Sequence, residues 1–352
     1  MRPNKGFSSA TNHYNKLKVK GMKFDEAIGI DVSKKTLDAC IHSLQIFTTV
    51  PNTKRGYIKL FSWVTKSKGC SLANSLFCFE HTGMYSYALA SFMSEKHMSY
   101  IIVPGLEIKR SLGIQRGKND QIDARKIAQY AYRRREEVKL FQLPRASINK
   151  IRQLLSLREK LVKQRAGYEA SLKDQSDFIK SSENKLLFSI PRKLIKELNL
   201  QIESIEKEID LVLEENPEIK NNYRLITSIT GVGRQTALQL IVVTNNFLSF
   251  DDPRKLASYA GVAPFPYTSG TSIKGKTKVN SMANMRLKSL LSACAVSAIR
   301  YDPEMKIYYK RRSEIGKHKM NIINAVRNKL LSRVFAVVKR ESPYVPLCRH
   351  AA

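Results

Sequence analysis

The sequence predicts an α/β domain near the N-terminus, followed by an antiparallel coiled-coil arm and a mainly helical C-terminal domain. Short apolar runs alternate with amphipathic helical patterns between residues 24 and 135, as in a mixed sheet with helices packed on it. Two long helical patterns then occupy residues 145–220, and glycine-containing turns separate shorter helices further on. We therefore expect a basic flexible arm (1–23), the α/β domain (24–144), the coiled-coil arm (145–222), the C-terminal domain (223–342) and a tail (343–352).

The α/β domain is expected to open with a β-hairpin. An apolar run rises to Asp31, a polar turn follows at Ser33–Thr36, and a second apolar run leaves from Leu37, which is the pattern of two paired strands. Helix and strand patterns alternate after it. The predicted strands are Phe24–Asp31, Leu37–His42, Gln45–Val50, Ser75–Glu80 and Tyr100–Val103, and the predicted helices are Gly56–Lys66 and Tyr85–Ser94.

The arm is predicted from a heptad pattern in its second helix. Apolar residues recur there at alternating steps of three and four, at Ile195, Leu198, Ile202, Ile205, Ile209 and Val212. A repeat this short fits either a coiled coil, within the chain or between subunits, or plain helical packing. In the C-terminal domain we expect a helix over Gln235–Val243, a loop over 267–281, and basic helices from Asn284 to about Lys339.

The charge balance points to a polyanionic partner. Lysine and arginine total 61 against 30 acidic residues, a net charge of +31, so nucleic acid is the first choice and an anionic membrane surface the second. No apolar run reaches the ~18 residues of a membrane span, and the N-terminus lacks a signal-peptide core. The five cysteines are scattered without zinc-site or disulfide spacing, which fits a reducing cytoplasm.

Four acidic residues at element ends are candidate metal ligands. Asp31 and Glu80 each end a predicted strand, while Asp120 and Asp123 lie three apart on the first turn of a predicted helix. Taken alone, Asp31 is better explained as a rim carboxylate, and acids at a helix start favour the helix dipole. Three segments that each deliver an acid nevertheless favour a metal cluster. Oxygen ligands without histidine or cysteine favour Mg²⁺ or Mn²⁺ over Zn²⁺, and a pair of such ions can assist phosphodiester chemistry.

The acidic pair lies in a strongly basic stretch. Ten lysines and arginines stand against four acids between Lys109 and Lys139. Lys118, Arg125 and Lys126 are the closest of them in sequence to the proposed ligands. A metal site with a cationic rim suits a nucleic-acid substrate.

Two further segments are candidates for phosphate contact. The turn with Gly231, Gly233 and Arg234 resembles a helix-hairpin-helix turn, whose glycines and helix N-terminus bind phosphate; a plain connection with a glycine cap is nearly as good an explanation. Further on, hydroxyls crowd a loop that carries Ser269 and three lysines, Lys274, Lys276 and Lys278. The residues alone favour a phosphate-contacting loop over one with a nucleophilic hydroxyl.

Six segments in this order carry a resemblance to a known family. They are GIDVSKKTLD around Asp31, FEHTG at Glu80, KNDQIDARKIA at Asp120 and Asp123, ITGVG from Ile229, LASYAGVAP from Leu256, and YTSGTSIKGK from Tyr267. From about Ala27 to Lys339, the sequence resembles the DEDD transposases of bacterial insertion sequences, the group that includes the Piv/MooV-type DNA invertases.

This resemblance implies a fold and a chemistry. The N-terminal domain would be a RuvC-like RNase H fold whose acids Asp31, Glu80, Asp120 and Asp123 bind Mg²⁺. The C-terminal transposase domain would supply Ser269 as a nucleophile that forms a transient phosphoserine link to DNA, which replaces the phosphate-contacting interpretation of that loop. The metal site of one subunit would be completed by the serine of another, in a dimer or tetramer.

The resemblance also implies partners and a location. A structured bridge RNA would pair with donor and target DNA and guide the choice of site, and the protein would be cytoplasmic and associated with a bacterial nucleoid. One departure concerns the turn after the serine, because a glycine of the family pattern is replaced by Ala283. Ser272, Tyr267 and Thr268 are therefore rival hydroxyls, of which Ser272 is the strongest. Arg286 still matches the pattern and, with the three loop lysines, is expected to stabilise phosphate charge.

Two other functions fit the same residues. A metal-dependent nuclease of Holliday-junction type would use water in place of the serine. A non-catalytic scaffold that binds DNA or RNA would need neither the acids nor the serine.

Overall fold

The computed structural model describes residues 24–111, 120–180, 182–269, 273–279 and 283–346. The chain divides into two compact units, of which the first ends at Leu143 and the second begins at Pro144. Each unit has hydrophobic clusters of its own.

The first unit is built on a five-stranded mixed sheet with the order β3-β2-β1-β4-β5. Strands β1, β2 and β3 pair antiparallel, and β1 pairs parallel with β4, which pairs parallel with β5. The strands are β1 Glu26–Val32, β2 Thr36–Ile41, β3 Ile46–Pro51, β4 Ser75–Glu80 and β5 Tyr100–Val103. The helices are α1 Lys54–Lys66, α2 Met84–Glu95, α3 Gly105–Ser111 and α4 Asp120–Arg134.

The two faces of this sheet are covered by different helices. Ile28, Ile30 and Phe77 share a buried cluster with residues of α1 and α2. Side chains alternate between the faces of a strand, and the neighbouring residues Ala27 and Cys78 accordingly cluster with α3 and α4 on the opposite face. The unit is therefore a three-layer α/β/α structure.

Helix α4 packs directly on β1 at Gly29. A Cβ placed on Gly29 would lie 2.1 Å from the backbone nitrogen of Ala128 and 2.3 Å from the carbonyl oxygen of Ala124. Two residues before Gly29 and on the same face of β1, Ala27 belongs to the cluster of Ile127 and Ala131. Successive β1 residues on this face thus meet earlier turns of the helix, so α4 runs antiparallel to β1 and begins at the end where Asp31 lies.

The second unit opens with an antiparallel helical hairpin. Helices α5 Ala146–Phe178 and α6 Lys185–Glu214 are joined side by side by an ion pair of 2.7 Å between Arg158 and Glu206 and by a hydrogen bond from Arg165 to Asn199. The base of the hairpin belongs to the same buried cluster as the C-terminal helices, through Ile151 and Ile209 among others. A supercoiled geometry for the pair remains a prediction.

Helices and one β-hairpin make up the rest of the second unit. The helices are α7 Pro217–Thr227, α8 Arg234–Thr244, α9 Pro253–Tyr259, α10 Met285–Tyr301, α11 Pro303–Glu314 and α12 Lys319–Arg340. Between α9 and α10, strand β6 Pro264–Ser269 pairs antiparallel with β7 Ile273–Val279. Buried residues of α7, α8, α9, α10 and α12 form one large cluster.

The predicted mixed sheet and the mainly helical C-terminal region are confirmed, and each predicted strand of the first unit is present within two residues at either end. The predicted loop over 267–281 is wrong, because strands β6 and β7 occupy most of it. Isoleucine, valine, threonine and tyrosine favour extended backbone there, which the glycines and serines of the segment obscured. Helix α3 was also missed. In the described part of the chain, no helix is long and apolar enough to span a membrane.

Candidate active site

Asp31 and Glu80 lie on adjacent strands at the same edge of the sheet. Ile30 of β1 pairs with Phe79 of β4, so the next residues, Asp31 and Glu80, follow side by side. Both belong to the α4 face, because they are two residues beyond Gly29 and Cys78 respectively. Both side chains are half-buried. The sheet therefore brings together two of the four acids that the sequence predicts.

A fifth acidic residue, Asp38, lies directly opposite Asp31. The two are Cα partners across the antiparallel pair β1–β2, and the Asp38 side chain is buried, with 9% of its surface exposed. It accepts a hydrogen bond of 2.5 Å from the hydroxyl of Thr49, its partner on β3. The prediction missed Asp38, although the alternation in Leu37-Asp38-Ala39-Cys40 places an acid where the α4 face requires an apolar residue.

Helix α4 brings the remaining two acids to this edge. Its first residue is Asp120 and its first turn carries Asp123. Since Ala124 and Ala128 meet Gly29, the next β1 residue on that face, Asp31, faces the beginning of the helix. Asp123 is paired at 3.1 Å with Lys126. The side chain of Asp120 lies outside the described residues.

The carboxylate of Glu80 lies close to the backbone of Gly105. A Cβ on Gly105 would lie 2.0 Å from Glu80 Oε1 and 2.6 Å from Oε2, so only glycine leaves room for this carboxylate at the start of α3. Two residues after Glu80, the buried hydroxyl of Thr82 has no hydrogen-bond partner in the part of the chain that the structure describes. Thr82 belongs to the FEHTG segment, whereas no sequence pattern indicated the contact of Gly105 with Glu80.

The acids fit a hard divalent cation better than zinc. Opposed carboxylates such as Asp31 and Asp38 destabilise a strand pair unless a cation lies near them. Burial raises the pKa of the Cys40 thiol to about 11 and raises the pKa of Cys78 further. The remaining donors at this edge are carboxylate oxygens, the ligands that Mg²⁺ and Mn²⁺ prefer. Among the described residues, however, no three acidic, histidine or cysteine side chains converge closely enough to hold a metal ion.

The predicted basic rim is only partly described. The guanidinium of Arg125 lies over the ring of Phe47 at 5.1 Å, and Lys126 is engaged with Asp123. Lys118 lies outside the described residues. Arg125 and Lys126 thus lie within one helix turn of Asp123, and their contact with nucleic acid remains a prediction.

The glycine turn between α7 and α8 has a packing role. Gly231 has a φ of +92°, and a Cβ there would lie 2.8 Å from Ala298 of α10; both observations require glycine. Gly233 has open space around it and precedes the first residue of α8. Arg234 pairs with Asp210 at 2.7 Å and donates to the carbonyl of Glu206. This arginine therefore ties α8 to α6.

The candidate nucleophile ends the first strand of the β-hairpin. Ser269 is the last residue of β6 and pairs with Ile273, the first residue of β7. The backbone of β7 carries Lys274, Lys276 and Lys278, while the side chains of Ser269 and of these lysines lie outside the described residues. Ser272, in the connection of the two strands, is likewise not described.

Arg286 takes part in contacts within the second unit. It pairs with Glu159 of α5 at 2.8 Å and donates to the carbonyl oxygen of Leu155. Just before it, Asn284 caps α10 through a bond from the backbone amide of Leu287. The charge of Arg286 is therefore partly used to join α10 to the helical hairpin.

A mixed sheet in this order, with acids on adjacent strand ends and on the helix that covers them, is consistent with the RNase H-like class of nucleic-acid enzymes. Comparison with known proteins supports this class and narrows it. A family model described as "Transposase" matches residues 28–176, and one described as "Transposase IS116/IS110/IS902 family" matches residues 223–310.

Full-length relatives agree with the family models. The chain is 32% identical over 328 residues to a pilin gene-inverting protein of Moraxella lacunata. The matched residues cover 90% of this chain and 97% of the relative. The chain is 31% identical over the same length to a pilin gene-inverting protein of Moraxella bovis. An uncharacterized 43.6 kDa protein of insertion element IS110 from Streptomyces coelicolor matches over 139 residues, 40% of this chain and 33% of the relative, at 32% identity.

The chain therefore belongs to the IS110/IS116 family of transposases. Membership makes it a DNA recombinase with DNA as its substrate. The DEDD group within which the first model falls also implies dependence on a divalent metal.

Proposed function

We propose that this transposase exchanges DNA strands through a serine nucleophile assisted by Mg²⁺, at sites chosen by a structured bridge RNA. The observation that carries the proposal is the acidic edge of the first unit. There Asp31 and Glu80 lie on adjacent strands and α4 begins over them with Asp120 and Asp123. The family supplies the DNA substrate, and the net charge of +31 suits a protein that binds two polyanions at once.

Asp31, Glu80, Asp120 and Asp123 would hold the metal, with Mn²⁺ as an alternative to Mg²⁺. When bound, such an ion supplies Lewis-acid stabilisation of phosphate oxygens and lowers the pKa of a nearby hydroxyl. Asp38 would position Asp31 from the opposite strand, since Thr49 fixes its carboxylate. The hydrogen bond orients the Asp38 carboxylate, and a further carboxylate beside Asp31 favours a cation at this edge of the sheet.

Ser269 would attack the scissile phosphate. The bond from phosphorus to the serine oxygen forms as the bond to the leaving strand oxygen breaks, and the proton of the serine hydroxyl passes to that oxygen. A hydroxyl of a second strand then attacks the phosphorus of the phosphoserine, and the bond to the serine oxygen breaks as the serine regains its proton. Strands are thus exchanged without hydrolysis. Ser272 is the rival nucleophile, because Ala283 stands where the family pattern has a glycine.

Cationic groups of the second unit would hold the DNA backbone. Lys274, Lys276 and Lys278 follow Ser269 on the paired strand and are the proposed phosphate ligands. At the turn between α7 and α8, a cavity of about 610 Å³ is lined by residues 227–233 together with Ser297. The open space around Gly233 suits a phosphate at the first amides of α8. Arg234 and Arg286 would support this contact by joining α8 to α6 and α10 to α5.

The protein would act as a dimer or tetramer with composite active sites. Apolar side chains are exposed near the tip of the α5–α6 hairpin, with Phe178 89% and Leu186 72% accessible. Exposed apolar side chains grouped at one end of a helix pair suit contact with another copy of the chain. Through such contacts the serine of one subunit would meet the acids of another.

The covalent intermediate gives the direct test. The purified protein is incubated with bridge RNA, element DNA and Mg²⁺, and protein–DNA adducts are separated on a denaturing gel and mapped by peptide mass spectrometry. We expect an adduct on Ser269 that disappears in Ser269→Ala and persists in Ser272→Ala. Cleavage that continues in Ser269→Ala without any adduct would replace this proposal with the junction-nuclease mechanism, and strand exchange retained in that variant would exclude Ser269.

A further inference from the structure

A cavity beside the first residues of β6 belongs to no site described above. Its volume is about 500 Å³, and its lining includes Arg254, Ser258, Pro264, Phe265, Asn328 and Ser332. Pockets that bind small ligands in proteins commonly enclose ~300–1,000 Å³. The cavity therefore has room for one nucleotide-sized group.

The wall of the cavity is fixed by hydrogen bonds from α12. The side-chain amides of Asn324 and Asn328 both donate to the carbonyl oxygen of Val262, at 2.7 and 2.8 Å. The amide nitrogen of Val262 donates in turn to the carbonyl of Ala257 in α9. On the far side, the carboxylate of Asp252 caps α9 by accepting from the amide of Arg254. The backbone around the cavity is thus held from both sides before any ligand arrives.

The chemistry of the lining suits a nucleobase with its phosphate. The ring of Phe265 is 46% exposed and follows Pro264, so a flat apolar surface is available for stacking. Lys255 is paired with Asp251 at 2.7 Å, whereas Arg254 has no acidic partner among the described residues and can meet a phosphate. The side-chain NH2 of Asn328 is used by the carbonyl oxygens of Val262 and Asn324, so its side-chain oxygen and the hydroxyls of Ser258 and Ser332 are the groups that can meet the edge of a base.

The cavity lies on the same strand as the proposed nucleophile. Phe265 and Ser269 are four residues apart on β6, which at ~3.3 Å per residue separates them by roughly 13 Å. Successive nucleotides of one strand rise ~3.4 Å in duplex DNA, so roughly four nucleotides span this distance. A DNA strand whose phosphate reaches Ser269 would place a nearby nucleotide at the cavity.

We propose that this cavity binds one unstacked base of the DNA strand, a few nucleotides from the phosphate that Ser269 attacks. Phe265 stacks on the base and Arg254 holds its phosphate. This inference rests on the proposed function for the position of the strand, but binding of the base does not require the chemical step. An extruded base here would fix the register of the strand at the active site.

The test combines crosslinking with affinity. A single-stranded DNA of roughly 20 nucleotides, longer than the ~4–16 that such surfaces cover, carries 5-iododeoxyuridine and is irradiated with the full-length protein. We expect a crosslink in the peptide that contains Phe265. By fluorescence anisotropy, Phe265→Ala should bind the strand at least ~5-fold more weakly, the lower limit for losing one base–aromatic stack. Phe265→Trp should restore binding.

Matched variants separate stacking from general effects. Tyr301→Ala removes an exposed ring at the end of α10, outside the cavity, and should leave affinity unchanged, while Ser332→Trp should fill the cavity and abolish the crosslink. Crosslinks elsewhere that survive Phe265→Ala would overturn the proposal, as would a Phe265-dependent crosslink seen only with the RNA version of the strand. DNA binding is measured here without catalysis. Unchanged binding by Phe265→Ala would therefore overturn only this proposal, and absence of the Ser269 adduct would overturn only the proposed nucleophile.

Discussion

At the scale of single residues, the candidate metal site consists of acids whose spatial neighbours cannot be read from the sequence. Asp31 alone is better explained as an ordinary rim residue, and it gains meaning only beside Glu80, Asp38 and the start of α4. Asp31, Glu80, Asp120 and Asp123 were indicated first by their positions at element ends and then by the resemblance to a family. For Asp38 the local pattern shows only an acid among apolar residues, and its position opposite Asp31 follows from the pairing register of the fold.

Gly105 offers a test of how Glu80 is positioned. A methyl group at residue 105 would occupy the place of the Glu80 carboxylate, so Gly105→Ala should fold and yet bind Mn²⁺ roughly 10- to 100-fold more weakly, the usual cost of disturbing a group that orients a ligand. Titration calorimetry of the RNA-free protein measures the change. Gly233→Ala, where the added methyl meets open space, is the control. Equal affinity in both variants would remove Glu80 from the metal site.

At the scale of elements, sequence patterns predicted the bounds of α1, α2 and α8 closely, but they did not predict α3 or where the helices pack. Periodicity predicted all five strands of the sheet, but the close packing of α4 on β1 depends on the absence of a side chain at Gly29. The β6–β7 hairpin was predicted as a loop, since Gly270, Gly275 and the neighbouring serines are common in loops. Pairing partners such as Thr268 and Lys274 are known only from the fold.

Gly29 is the element-scale prediction. Its Cβ would meet backbone atoms of α4, which cannot rotate away, so Gly29→Ala should lower the free energy of unfolding by about 2 kcal/mol or more. Metal binding should weaken with it, because the start of α4 moves off Asp31. Thermal unfolding followed by circular dichroism is the measurement. Gly167→Ala, in open space on α5, should instead add up to ~1 kcal/mol, and an unfolding temperature unchanged by Gly29→Ala would show that α4 is not packed as described.

At the scale of the whole molecule, charge and assembly decide function. The excess of basic residues was enough to predict a nucleic-acid partner, since it does not depend on the fold. The partners of individual cations were not predictable: Arg234 and Arg286, expected to contact phosphate, pair with Asp210 and Glu159. The sequence determines the net charge of the protein, whereas the fold determines which basic side chains remain unpaired and able to bind phosphate.

The exposed tip of the helical hairpin predicts self-association. Replacing Phe178, Leu186 and Ile190 with serine removes apolar side chains that are more than half exposed, and should shift the protein to a smaller species in light scattering after gel filtration. The folded hairpin loses little, because these side chains are not in the buried cluster. Ile58→Ser is the control, because Ile58 lies on α1 and is likewise more than half exposed, at 56%. An unchanged mass in the triple variant would place the subunit interface elsewhere.

The metal site is the centre of this account, and Mn²⁺ binding to the free protein tests it most directly. Calorimetric titration of the wild-type protein should show saturable binding, lost in Asp31→Asn and weakened in Asp38→Asn. The substitution to asparagine keeps the shape of each side chain and removes its charge, so folding should persist, and circular dichroism confirms it. Undiminished Mn²⁺ binding by Asp31→Asn would contradict the account, because the sheet edge that Asp31 shares with Glu80 and the first turn of α4 would then not be where the metal binds.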